Sequence, residues 1–176
     1  MLALFGLALL AACERDVTPP TLDAVLVVAG GSAIVTDTSS YLFTSSETGL
    51  TGQIAFDFTN VTRRTISLVN CLGGYRLWLE KQVGSDWTLA WSPVQLDCLS
   101  PPIVLRPGET RSDTMRIFGG HPGTNQFPLF MVAEVEGTYR LVIGAAYWNY
   151  NPDGPSFGQA VPLRYTVSNS FEIRTN

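Results

Sequence analysis

Residues 53–59, QIAFDFT, set the rhythm of the chain. Ile54, Phe56 and Phe58 fall on one side and Gln53, Ala55, Asp57 and Thr59 on the other, the period of two expected of a half-buried strand. The alternation returns at 65–69, through Ile66 and Leu68, and at 75–81, through Tyr75, Leu77 and Leu79. Gly84-Ser85-Asp86 supplies turn chemistry before residues 87–91, which predicts a hairpin. Further strands are predicted at 103–105, then, after the turn Arg106-Pro107-Gly108-Glu109, at 114–118, 128–135, 138–147, 161–167 and 170–175. Residues 22–28 and 33–35 around Gly30-Gly31 predict a hairpin or an edge strand. No run keeps the 3.6-residue period of a helix. Eight or more short strands divided by turns indicate an all-β, antiparallel β-sandwich with Greek-key connections. Its start is expected near residue 22 and within 22–41.

Ahead of this pattern the chain changes character. Residues 1–12 carry no charge and as a helix would span about 18 Å, short of the roughly 30 Å of a bilayer core. The length and the small-residue end suit a signal peptide; a buried first strand or helix is the alternative. Leu10-Ala11-Ala12-Cys13 resembles the bacterial lipobox, which implies cleavage before Cys13 and lipid attachment to its sulfur. The lysine or arginine expected ahead of such a run is missing, and a misplaced start accounts for that. The expected order is a signal peptide over 1–12, a lipidated tether over 13–21 ending in Pro19-Pro20, and one sandwich over 22–176.

Composition narrows the picture. Removing the leader leaves about 164 residues, enough for one domain with a real core. A net charge of −4 without a basic cluster argues against a nucleic-acid partner. Three cysteines are awkward in an exported chain; lipidation of Cys13 leaves Cys71 and Cys98 to form a disulfide, with two buried free thiols as the alternative. One histidine and so few thiols do not make a zinc site.

Glu136-Gly137-Thr138-Tyr139-Arg140-Leu141 resembles the start of the penultimate strand of immunoglobulin-type domains, with Tyr139 as the tyrosine corner and Leu141 in place of a cysteine. Together with FDFTN at 56–60, GSDWTLAWS at 84–92 and LRPGE at 105–109, it makes residues 41–176 similar to the intracellular proteinase inhibitor (BsuPI-like) family and related immunoglobulin-like lipoproteins. The resemblance implies an immunoglobulin-like β-sandwich and, from the family's name, protease inhibition; no inhibitory residue carries over.

Candidate chemistry gathers in residues 147–158. Gly154-Pro155-Ser156-Phe157-Gly158 fits the nucleophile elbow G-x-S-x-G, but a strand-like stretch follows it and the sole histidine, His121, lies upstream. Asn149, Asn151 and Asp153 fit the first half of a calcium loop, whose closing glutamate is replaced by Ala160. Tyr147, Trp148, Tyr150 and Phe157 form an aromatic set suited to stacking a sugar or anchoring a partner. His121 in Gly-Gly-His-Pro-Gly reads as an exposed turn residue, Glu134 and Glu136 as solvated charges, and Trp78, Trp87 and Trp91 as strand packing. Asn60-Val61-Thr62 matches a glycosylation sequon placed in an ordinary turn.

The expectation is a membrane-anchored, non-enzymatic lipoprotein of the cell envelope, without cofactor, that binds a protein or glycan partner. The outer membrane is favoured in a Gram-negative host, because Glu14 lacks the retention signal of an aspartate. Protease inhibition and carbohydrate binding are the alternatives.

Overall fold

The computed structural model describes residues 32–94 and 100–176. In chain order the strands are β1 (Ile34–Thr36), β2 (Ser40–Ser46), β3 (Gly49–Thr59), β4 (Ile66–Leu68), β5 (Asn70–Cys71), β6 (Gly74–Tyr75), β7 (Leu77–Val83), β8 (Asp86–Trp91), β9 (Ile103–Leu105), β10 (Thr110–Gly119), β11 (Gly137–Ile143), β12 (Ala146–Trp148), β13 (Gln159–Ala160) and β14 (Phe171–Thr175).

The long strand β3 is the spine of an all-β sandwich. Its residues Leu50, Ile54, Phe56 and Phe58 are buried while Gln53 and Asp57 face water, the alternation that the sequence predicts. Along one edge β10 runs antiparallel from Thr110 opposite Thr59 to Gly119 opposite Leu50. Along the other edge β1 covers 56–58 and the end of β2 covers 49–51. The first half of β2 crosses to pair in parallel with β14, and β14, β11, β7 and β8 continue as an antiparallel sheet. A smaller sheet in the order β13-β12-β4-β9 closes one end, with the β5–β6 hairpin as a separate pair.

Between the faces lie Phe43, Ile54, Phe58, Leu79, Leu141, Phe171 and Ile173, none more than 2 % exposed. Each such side chain contributes roughly 1.5–3 kcal/mol by leaving water. Tyr139 is buried among them, and its hydroxyl donates to the backbone oxygen of Val135. Burial pushes that hydroxyl well above the ordinary tyrosine range.

Backbone groups explain three departures from the strand pattern. Residues 128–135 form no strand: Phe130 and Met131 donate singly to Gly120 and Ala90, so the segment bridges two elements instead of laddering along one. Residues 138–147 break at Gly144 and Ala145. The Trp78 indole lies where a Cβ on Gly144 would stand, 2.3 Å away, and Ala145 turns with φ +50° to hand the chain from the main sheet to the small one. Residues 161–167 contain a single 3-10 turn at Leu163–Tyr165, closed by Tyr165 N–H to Pro162 O and Thr166 N–H to Leu163 O. The segment 22–28 lies outside the described residues, as do Cys13 and Cys98.

Among the described residues no strand pairs with the second edge of β10. A long open edge invites pairing with another chain, and here it is partly capped. The Thr114 N–H donates to the carboxylate of its own neighbour Asp113 (2.8 Å), which also receives the Tyr75 hydroxyl (3.1 Å) and Arg111 (3.3 Å).

Candidate functional site

β12 sorts the aromatic set into two roles. Its alternation turns Ala146 and Trp148 inward and leaves Tyr147 half-buried on the other side. Trp148 is 4 % exposed; its indole meets Tyr165 at 6.3 Å and is covered by the Arg64 guanidinium at 4.4 Å. Arg64 is itself held by Gln159 of β13 (2.9 Å). Trp148 is therefore part of the core, and its indole N–H, buried without an acceptor, gives no face to a ligand. The sequence expectation of four presented rings is corrected to three.

Those three meet one another. Tyr147 lies 6.5 Å from Tyr150 and 5.9 Å from Phe157, and Tyr150 and Phe157 stand nearly parallel, 13° apart at 6.1 Å. Such offset arrangements are favoured by ring quadrupoles. Phe157 is 37 % exposed and the two tyrosines are half-buried, so the cluster has an inner side against the protein and an outer side towards water.

The loop that carries them is closed by its own backbone. Asn151 N–H donates to Phe157 O (3.1 Å) and Gly154 N–H to Asn151 O (3.3 Å). Asn149 adopts φ +51°, a conformation that asparagine tolerates better than most residues. Gly158, at φ +125°, lies so close to Trp148 that an added Cβ would stand 2.6 Å from its carbonyl oxygen, and only glycine fits there.

The same hydrogen bonds bear on the other candidates. The Asn151 side-chain oxygen, one of the three expected calcium ligands, accepts the Asp153 N–H at 3.1 Å, the ordinary Asx turn. Among the described residues no three His, Cys, Asp or Glu side chains could hold a metal ion together. Ser156 is exposed and leads into β13, not into the helix of a nucleophile elbow. His121 sits with Nε2 2.7 Å from Ser46 O, in the turn region at the end of β10. Glu136 accepts both the N–H and the hydroxyl of Thr175 (2.9 and 2.8 Å), which lowers its carboxyl below the usual range, the backbone N–H most of all. Glu134 offers its backbone oxygen to Lys81.

Trp91 is buried and donates to Phe118 O (3.3 Å). On the opposite side of that sheet Trp87 lies under Arg140 at 4.5 Å, and Arg140 pairs with Glu80 at 2.6 Å, to which Trp78 also donates. Asn60, which the sequence places in an ordinary turn, does more than turn the chain. It is wholly buried; its amide donates to Arg64 O (2.8 Å) and Leu105 O (2.9 Å), while its oxygen accepts the N–H and hydroxyl of Thr62 (3.0 and 2.8 Å). It fastens the end of β3 to the turns before β4 and after β9. A shallow concavity of about 430 Å³ on the outer face of β1, β3 and β10 includes Asp37 and Asp57, which accept from Tyr41 (2.5 Å) and Ser112 (2.6 Å).

Compared with known proteins, the chain matches no family model, and no curated relative matches it either.

Proposed function

We propose that this chain is a non-enzymatic interaction module of the cell envelope, anchored through lipid on Cys13, with the 147–158 loop as its contact surface. The observation that carries the reading is the cluster of Tyr147, Tyr150 and Phe157, gathered on one surface of a loop whose backbone is already closed. Rigid aromatic side chains give large contact area at little conformational cost. An immunoglobulin-like topology fits the same reading: the Tyr139 closure and the passage of β2 between sheets support it, and the contact loop then lies in the connection between β11 and β14, the last two strands of the main sheet, at an end where such folds bind ligands.

The Cys71–Cys98 bridge belongs to this proposal. Ser100 N–H donates to Asn70 O (3.0 Å) and Ser100 Oγ accepts the Leu72 N–H (2.9 Å). These bonds tie the chain just beyond Cys98 to both neighbours of Cys71, which supports the pairing. Protease inhibition is the second reading, favoured by the self-closed loop, since an inhibitory segment must resist rearrangement.

The test is retention of envelope proteins, glycans and phospholipid vesicles by the full chain and by Tyr150→Ala. Retention that falls at least tenfold in the variant, with unchanged thermal stability, is the expected result. Equal retention by both chains, or hydrolysis that disappears in Ser156→Ala, refutes the reading.

A further inference from the structure

We infer that the partner of the 147–158 surface is the phospholipid headgroup layer, so that the sandwich stands on its membrane with this end down. The inference rests on the lipid-anchor reading above and adds an orientation and a ligand class to it.

The first observation is where the chain enters. The Ala33 carbonyl accepts the Thr59 N–H at 2.8 Å, so the leading segment joins the sandwich at the end of β3 that continues into Asn60 and Arg64. Arg64 touches both Trp148 and Gln159, which are the two feet of the aromatic loop. Entry point and loop therefore share one end of the molecule. About eighteen residues separate Cys13 from Ser32, and a chain of that length bridges at most about 60 Å fully extended. The anchor therefore limits this end to within about 60 Å of the lipid surface and leaves the choice of face to the charge and chemistry of that end.

The second observation is charge. Although the whole chain carries −4, this end holds Arg63, Arg64, Arg106 and Arg164, three of them exposed. The carboxylates beside them are Asp153, Glu109, which accepts the Arg106 N–H at 2.8 Å, and Asp57, two residues in from Thr59, with Arg111 opposite Phe58 adding a further positive charge. The opposite end carries Glu47, Asp86, Glu134 and Glu136 against Lys81 and Arg174, the latter beside the Glu136–Thr175 bonds. Such a dipole turns its basic end towards anionic headgroups.

The third is the chemistry of the tip. Phe157 and Leu163 are 37 % and 52 % exposed, and two tyrosines stand beside Phe157. Amphipathic rings and aliphatic groups interleaved with arginine suit the interface between headgroups and acyl chains.

The test uses the full lipidated chain, reconstituted in vesicles of zwitterionic lipid with and without 30 % phosphatidylglycerol. The mass of the recovered chain is read first. Amide hydrogen exchange is then followed over 147–158 and, as an internal control, over 121–136 at the opposite end. Exchange over 147–158 is expected to slow about tenfold in the anionic vesicles, with 121–136 unchanged. Arg63→Gln with Arg164→Gln should abolish the slowing while the chain stays anchored. Unchanged exchange over 147–158, protection of 121–136 instead, or protection that appears only on adding peptidoglycan fragments overturns the inference. An unacylated mass refutes the anchor alone. The soluble chain is then sedimented with the same vesicles, where each arginine variant should weaken binding about fivefold, and failure to bind the anionic vesicles overturns the orientation.

Discussion

Tyr139 opens β11 with its ring sealed in the core and its hydroxyl joined to Val135 O. Tyr147, in β12 on the far side of the Gly144-Ala145 break, keeps its ring at the surface beside Tyr150 and Phe157. One strand path thus uses the same side chain as a buried fastener at one end and as part of a surface ring cluster at the other. Residue type does not separate the two roles; what surrounds the hydroxyl and both ring faces does. Trp148 sharpens the contrast, because it stands next to Tyr147 and belongs with Tyr139.

The largest effects should come from breaking the sealed end. Tyr139→Ala is expected to cost about 3–5 kcal/mol, by analogy with other buried aromatics, read from the denaturant midpoint. Tyr139→Phe should cost only about 1 kcal/mol, dividing ring from hydroxyl. At the other end, Trp148→Ala should resemble Tyr139→Ala at about 3–5 kcal/mol, whereas Tyr150→Ala should change stability by less than about 1 kcal/mol. A Tyr150→Ala loss equal to that of Trp148→Ala would erase the distinction between the two roles.

The smallest effect concerns alkaline pH. Tyr139 keeps its proton above the ordinary tyrosine value because burial disfavours the phenolate. Its contribution is therefore complete below the unfolded value near 10 and declines as pH rises beyond it. Denaturant midpoints measured at pH 9, 10 and 11 should fall across that series, and less steeply in Tyr139→Phe.

The period of two placed the spine correctly, since Ile54, Phe56 and Phe58 are buried and their neighbours are not. It worked there because each side of the strand meets one environment. It failed at 128–135, where buried Phe130 and Val132 imitate the alternation while the backbone bonds to β8 and to the end of β10 in turn. That Tyr139 would be a buried strand residue was legible because Glu136-Gly137-Thr138-Tyr139 is a local signal. The inward turn of Trp148 was written in the same alternation that hides Ala146, but the stretch reads as loop unless β12 is recognised as a strand. The arginines at one end were not legible as a group in the sequence: Arg63, Arg106 and Arg164 are far apart along the chain and come to the same end of the sandwich only through folding. Asn60 lacked any signal beyond its sequon, because its role depends on carbonyls that Leu105 and Arg64 supply.

That buried asparagine also decides where the protein can be made. Both hydrogens of its amide are engaged inside the fold, while Asn60-Val61-Thr62 is the acceptor tripeptide for N-linked sugars in eukaryotic secretion. An oligosaccharide added to the nascent polypeptide would have to be housed in a niche sized for two protons. Yeast or mammalian cells would thus yield glycosylated chains unable to close the knot between β3 and β9, and removing Thr62 to avoid the sugar would strip away part of the knot itself.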